Sequence, residues 1–268
     1  MSRIVGIDFG TTNSVIAVLE GGEPVVIPNG RGERLTPSVV AFGENGDLLV
    51  GSAAKNQSII NYERTVMSVK RKFGDDFSIT VDGRDMGAEQ IAAFIIERLK
   101  KCAEEFTGGP VSQAIITVPA YFNNGQRNAV KQAGELAGLE VLRLINEPTA
   151  ASLASNQPTD GDGTLLVFDL GGGTFDVSVL DVSGSVYEVV ATRGNNRLGG
   201  DDFDALLVQH VCTSFYLEHN IDLREDRMAL QKVLDACEQA KKELSEAEST
   251  LISVPFLSAD EDGPKHLE

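Results

Sequence analysis

Asp8-Phe9-Gly10-Thr11-Thr12-Asn13-Ser14-Val15-Ile16-Ala17-Val18-Leu19 decides the fold, because it returns without a gap as Asp169-Leu170-Gly171-Gly172-Gly173-Thr174-Phe175-Asp176-Val177-Ser178-Val179-Leu180. Each copy follows an apolar run, Ile4-Val5-Gly6-Ile7 or Leu165-Leu166-Val167-Phe168, and leads into another. The pattern is strand, carboxylate, glycine-rich turn, strand, written twice. So wide a spacing points to two related lobes rather than a solenoid, whose period would be ~20–50 residues. Two such turns facing each other can hold a polyphosphate between them.

A glycine turn after a strand lets main-chain N–H groups approach an anion with no Cβ in the way. Gly10, Thr11 and Thr12, and Gly171, Gly172, Gly173 and Thr174, meet that need, and the threonines add hydroxyl donors. Asp8 and Asp169 close the preceding strands, where they would stand beside the phosphates. A carboxylate cannot bind a phosphate directly, so both read as outer ligands of Mg²⁺, which keeps several of its waters. One turn alone reads as an ordinary β-hairpin. Two, with Asp, Gly and Thr in register, carry the phosphate reading. Neither the P-loop pattern nor a G-x-G-x-x-G opening a helix is present, which disfavours those two folds.

A chain of 268 residues can bury a core in one large or two medium domains. Gly supplies 27 of them, above the usual ~7%, and so calls for many tight turns. The net charge of −17 argues against nucleic acid or an anionic membrane as partner, since a polyanion needs a basic footprint. A nucleotide is not excluded, because backbone amides, one lysine and a metal can hold phosphate at any global charge. Cys102, Cys212 and Cys237 form no C-x-x-C pair, and the N-terminus is not signal-like. They read as reduced thiols of a cytosolic protein. His210, His219 and His266 lack metal-site spacing, and no apolar run approaches the ~20 residues of a membrane span.

Short strands are expected at 15–19 and 25–27 around Gly21-Gly22, and one strand at 37–42. Residues 51–107 look inserted and end in a helix over 88–106, with Ile91, Phe94, Ile95, Leu99 and Cys102 on its apolar face. A strand at 114–118, a helix over 125–137, a strand at 141–145 and a helix from Glu147 follow. This β-α-β-α order implies an α/β fold with a mainly parallel sheet. The polar, turn-rich stretch 156–163 is the best internal boundary. It divides a first lobe, 1–160, from a second, 161–268. The second lobe is expected to hold strands at 164–169, 174–181 and 185–193, helices over 201–218 and 226–247, and a last strand at 251–254. It stops short of the first lobe's β-α-β-α half, so the sequence reads as part of a longer protein.

Ile7-Asp8-Phe9-Gly10-Thr11-Thr12-Asn13-Ser14, Ile116-Thr117-Val118-Pro119-Ala120-Tyr121-Phe122, Asn146-Glu147-Pro148-Thr149-Ala150-Ala151 and Leu198-Gly199-Gly200-Asp201-Asp202-Phe203-Asp204 resemble the seventy-kilodalton heat-shock chaperones, the bacterial DnaK type most of all. The likeness runs collinearly along essentially the whole chain. The aspartate–glycine turns alone would also fit an actin-like filament protein or a small-molecule kinase on the same fold; the Thr-Val-Pro-Ala-Tyr-Phe and Asn-Glu-Pro-Thr-Ala-Ala runs are far more specific.

The resemblance implies an actin-like (ribonuclease H-like) ATPase fold, with two lobes around a cleft holding ATP or ADP and Mg²⁺. Gly10, Thr11, Thr12 and Asn13, with Gly171, Gly172, Gly173 and Thr174, would cradle the phosphates. Asp8, Asp169 and Asp176 would surround the metal, largely through water. Lys70 would face the γ-phosphate, and Glu147, beside Pro119 and Arg127, would orient the attacking water. Lys70, Glu147, Asp169 and Thr174 are thus the catalytic set. As bare residues, Lys70 reads as a surface charge, Glu147 as an N-terminal helix charge and Asp176 as a solvent-facing strand residue. Glu238, Lys241 and Ser245 share a helix face by spacing, as a solvated amphipathic helix would also show; the resemblance assigns them to the nucleoside. It also implies a J-domain co-chaperone meeting Arg143, Asn146 and Thr149, a nucleotide exchange factor, unfolded client peptides and a cytoplasmic setting. Two departures stand out. The segment between Lys70 and Ala88 is shorter than in the longer bacterial forms, and the sequence given stops before the family's glycine-rich adenosine loop, linker and peptide-binding domain.

Overall fold

β1 (Arg3–Phe9), β2 (Asn13–Glu20) and β3 (Glu23–Val26) form an antiparallel meander. The structure, a computed structural model, describes residues 3–44, 46–155, 162–184 and 186–268. Alternation along β1 sends Val5, Ile7 and Phe9 to one face, where each is at most 1% exposed. Gly21 and Gly22 turn the second hairpin at φ 61° and 93°, the left-handed backbone such two-residue turns demand.

The stretch 37–42, expected as one strand, is two. β4 (Thr36–Pro37) pairs with β2, whereas β5 (Val39–Phe42) joins a separate sheet with β6 (Leu48–Val50) and, after the short helix α1 (Ser52–Asn56), β7 (Thr65–Met67). Pro37 lacks the N–H that would extend a ladder, and the chain changes sheets at Ser38. A small hairpin, β8 (Ser78–Val81) and β9 (Arg84–Gly87), leads into α2 (Ala88–Thr107). Gln90 accepts from the Gly87 N–H at 2.8 Å at the start of α2, and Gly108 at φ 67° ends it. The apolar face of α2 packs against β2, β10 (Val111–Val118) and α3 (Asn124–Leu136). The segment expected as an insertion therefore ends within the principal core.

Asn123 and Gln126 cap α3 reciprocally, at 2.9 and 3.1 Å, as a capping box does. Gly134 lets α3 settle on the sheet, since a Cβ there would stand 2.6 Å from Val141 Cγ2. β11 (Glu140–Asn146) and α4 (Glu147–Ala154) complete this half, with Pro148 in the first turn of α4. The sheet order is β11-β10-β1-β2-β3, with β4 beside β2. Parallel pairing covers only β11, β10 and β1. The expected mainly parallel sheet is thus a mixed one, because the short turn from β1 to β2 can only join antiparallel strands.

β12 (Gly163–Leu170), β13 (Phe175–Ser183) and β14 (Val186–Asn195) form an antiparallel meander, close to expectation. The expected boundary at 156–163 falls almost wholly outside the described residues. In β12, Leu166, Phe168 and Leu170 hold the places that Val5, Ile7 and Phe9 hold in β1. There the repeat breaks down. Leu166 and Phe168 are 68% and 66% exposed, because no helix of the same compact unit among the described residues covers this face.

By their contacts, residues up to Lys55 with Arg64–Gly199 form one compact unit, and Asn56–Glu63 with Gly200–Glu268 another. In the second, α5 (Gly200–His219) packs on α6 (Arg227–Glu243), whose first amides at Met228 and Ala229 are capped by Asp226 at 2.9 and 3.1 Å. Cys212, Phe215, Leu223, Val233 and Cys237 centre its core; all three cysteines of the chain are free and buried. The hairpin β15 (Val254–Asp260) and β16 (Gly263–Leu267) follows, so the last strand expected at 251–254 begins where that expectation ended. No helix among the described residues is long and apolar enough to cross a membrane.

Candidate functional site

The two glycine turns share one strand register. Asp8 stands opposite Val15 across β1 and β2, and Asp169 stands opposite Asp176 across β12 and β13, the equivalent rung. Both turns line a single cavity of about 490 Å³ within the first unit, a volume in the usual range for small-molecule sites. Asp8, Gly10, Thr11, Thr12, Asn13, Lys70, Glu147, Asp169, Gly171, Gly172 and Thr174 all border it. Gly173 and Asp176 do not. Asp176, read from bare sequence as solvent-facing, is instead buried at 2% exposure.

Close approach explains the glycines. A Cβ on Gly173 would lie 2.6 Å from Thr11 Cγ2 and 2.7 Å from Arg71 Cδ, so the second turn rests against the first. A Cβ on Gly199 would meet the Gly172 backbone at 2.5 Å, and one on Gly194 would meet Asp176 Oδ1 at 2.3 Å. Gly194 and Gly199 thus support the second turn from behind.

Lys70 is 2% exposed and its Nζ donates to Glu147 Oε1 at 2.6 Å, with Phe122 beneath the ammonium at 5.8 Å. The 3₁₀ turn Val69–Lys72 that carries it follows Ser68, held left-handed at φ 51°, a conformation a non-glycine residue adopts only under constraint. Burial pushes the Glu147 carboxyl up to about 7; Lys70 opposes the rise, while Asp8 and Asp169 add to it. Asp169 is raised by burial, against the pull of Lys70, and further by Asp8. Asp176 is raised by burial and then by Asp169, while main-chain hydrogen bonds from Tyr121 and Ala120 and the charge of Lys70 hold it down. Four carboxylates thus gather around one buried ammonium, and their mutual repulsion would be relieved by a bound cation.

The donor set fits a magnesium-bound polyphosphate. The turn amides and Lys70 can meet an anion, and the aspartates can meet a hydrated cation. Thr11 Oγ1 and Asp176 Oδ1 are buried without a hydrogen-bond partner among the described residues, which is how groups awaiting a ligand or water look. No group of three or more His, Cys, Asp or Glu among the described residues is arranged to ligate an ion directly.

Sequence reasoning missed several members. Thr117 donates to Asp8 Oδ1 at 2.7 Å and lines the cavity, as do Ala150, Ala151 and Ala154 of α4. Arg127, which the resemblance set beside Glu147, donates to Asn146 Oδ1 at 2.8 Å and to the Ala120 and Phe122 carbonyls, tying the loop after β10 to the start of α4. Arg143 is exposed, with Asn146 and Thr149 half-buried. In the second unit, Lys241 donates to Asp204 Oδ2 at 2.6 Å and the Gly200 carbonyl at 3.0 Å, and Glu238 accepts from Lys242 at 2.6 Å. The helical face expected for Glu238, Lys241 and Ser245 is incomplete. α6 ends at Glu243, and Ser245 lies in the following turn, its N–H bonded to the Lys242 carbonyl at 3.1 Å.

The family model for Hsp70 protein matches residues 4–82 and 77–268. The chain belongs to the Hsp70 family. Members of the Hsp70 family are chaperones with an ATP-binding, ATP-hydrolysing domain, and they work with co-chaperones and client proteins. The match covers both glycine turns, Lys70 and Glu147, so the cavity lies within the Hsp70 nucleotide-binding domain region.

Proposed function

We propose that this chain is the ATP-binding and ATP-hydrolysing part of a DnaK-type chaperone that assists protein folding. One observation carries the reading: two glycine turns of equal register and the buried Lys70–Glu147 pair border the same cavity. On this reading residues 1–160 and 161–268 belong to two lobes of an actin-like (ribonuclease H-like) fold, with 51–107 inserted in the first.

The amides and hydroxyls of residues 10–13 and 171–174 cradle the phosphates of ATP or ADP. Asp8, Asp169 and Asp176 would hold Mg²⁺, largely through water. When bound, that ion neutralises charge on the phosphate oxygens. Lys70 stabilises the charge that builds on the γ-phosphoryl group, and its fixed position spares reorganisation as the reaction proceeds. Glu147, with a carboxyl near neutrality, orients the attacking water and can take its proton. The reaction asks little else of the protein, since phosphoryl transfer is catalysed mainly by positioning and electrostatics. Glu238, Lys241 and Ser245 serve the nucleoside. Arg143, Asn146 and Thr149 meet a J-domain co-chaperone, while an exchange factor renews the nucleotide and client peptides respond to its state in the cytoplasm.

Calorimetric titration of the chain with Mg-ATP and Mg-ADP tests the reading. One site is expected, weakened when EDTA removes the metal. A folded chain that takes up neither nucleotide overturns it.

A further inference from the structure

Ser38 is wholly buried and does not border the cavity. It is the residue at which the chain passes from β4 to β5. Its N–H donates to the Thr12 carbonyl at 2.8 Å, and its hydroxyl donates to the Gly10 carbonyl, also at 2.8 Å. Ser14, equally buried, lies 2.9 Å away, oxygen to oxygen. A serine has one hydroxyl proton. That of Ser38 is committed to Gly10, so Ser14 is the donor between the two.

The consequence follows from peptide planarity. In a trans peptide the C=O and the next N–H point in opposite directions, and no cis bond occurs among the described residues. Holding the Gly10 and Thr12 carbonyls toward Ser38 turns the N–H groups of Thr11 and Asn13 away from it, and Thr11 and Asn13 both border the cavity. The second turn needs no such brace, because its own Gly171 N–H closes on the Thr174 carbonyl at 2.9 Å. We propose that Ser38, braced by Ser14, is a positioning residue that aims the amides of the first turn at the phosphates. The inference rests on reading the cavity as a nucleotide site. Chained hydroxyls polarise one another, so Ser14 strengthens the grip of Ser38 on Gly10.

A merely structural serine would change stability without distinguishing phosphate from nucleoside. The test compares Ser38→Ala and Ser14→Ala with the unaltered chain. It measures affinity for Mg-ADP and for adenosine by calorimetry, and the Thr11 and Asn13 amide resonances during Mg-ADP titration. Ser38→Ala is expected to weaken Mg-ADP about tenfold or more, holding adenosine within about twofold and shrinking both amide shifts. Ser14→Ala should give a smaller change of the same kind, and it carries the test alone if Ser38→Ala does not fold. Folded variants that bind Mg-ADP like the unaltered chain, or that lose both ligands equally, overturn the inference and leave the nucleotide reading standing. An unaltered chain that binds neither Mg-ADP nor adenosine overturns both.

Discussion

The γ-methyl of Thr11 occupies the space beside Gly173 where a Cβ would stand, 2.6 Å away. Residues 162 positions apart (173 minus 11) thus bring the two glycine turns into van der Waals contact. Gly173→Ala has no room, because Arg71 closes the other side at 2.7 Å. It should cost about 1–3 kcal/mol in urea unfolding and weaken Mg-ATP binding. Gly171→Ala, whose Cβ would come no nearer than 3.5 Å to the Thr174 carbonyl and 3.9 Å to its hydroxyl, should change stability by less than about 1 kcal/mol. Equal costs would refute the packing argument.

Lys70→Met removes the cation that faces a buried carboxylate. Since Lys70 lowers the Glu147 pKa, the variant should titrate above 7, measured by ¹³C NMR of the Glu147 carboxyl. ATP turnover should vanish while nucleotide binding stays detectable. Stability should fall little at pH 6, where the carboxyl simply protonates. Near pH 9 the loss should approach the ~3–5 kcal/mol typical of an orphaned buried charge.

Glu147, Asp169 and Asp176 are all raised. The folded chain then holds protons that the unfolded chain has released. For Glu147 the contribution to stability is full below its unfolded value, 4.5, and is lost as pH rises through about 7; Asp169 and Asp176 act in the same direction. Melting temperature should fall across that window, less steeply in Glu147→Gln. Mg²⁺ should raise it more at pH 8 than at pH 5, because the cation favours ionised carboxylates. A magnesium effect independent of pH would contradict the assignment.

Thr117→Val deletes the donor that fixes Asp8 Oδ1. Hydrogen bonds to charged groups are worth about 1.5–3 kcal/mol, and the exposure of this one places it at the low end. The expected result is a shift of the magnesium dependence of nucleotide binding by about threefold to tenfold to higher concentration, with little change in melting temperature.

Lys241→Met should destabilise α5 and α6 by about 3 kcal/mol or more, because Asp204 is buried and its Oδ1 has no partner among the described residues. Lys242→Met, losing a largely exposed bond to Glu238, should cost under about 1 kcal/mol. Amide exchange across both helices separates the two.

The duplicated hairpin was readable because its determinants are local: apolar alternation, a glycine turn and a carboxylate fixed the same rung in both copies. The helix expected over 125–137 was legible for the same reason, within a residue of α3 as found. Other features depend on partners far along the chain. Nothing in Ser68-Val69-Lys70 announces that a left-handed Ser68 will bury Lys70 against Glu147, 77 positions on. Thr117 meets Asp8 across 109 positions, and Ser38 meets Gly10 across 28. Periodicity carried Ser245 onto α6, but the helix ends before it, as the Ser245 and Glu246 amides turn back to Lys242 and Glu243.

The uncovered face of β12 also governs how the chain behaves in bulk solution. A net charge of −17 keeps molecules apart at low ionic strength, whereas the oily strip of Leu166, Phe168 and Leu170 draws them together. Added salt screens the first force and spares the second. The osmotic second virial coefficient should therefore turn from positive to negative as ionic strength climbs, and sooner than the overall charge alone would suggest.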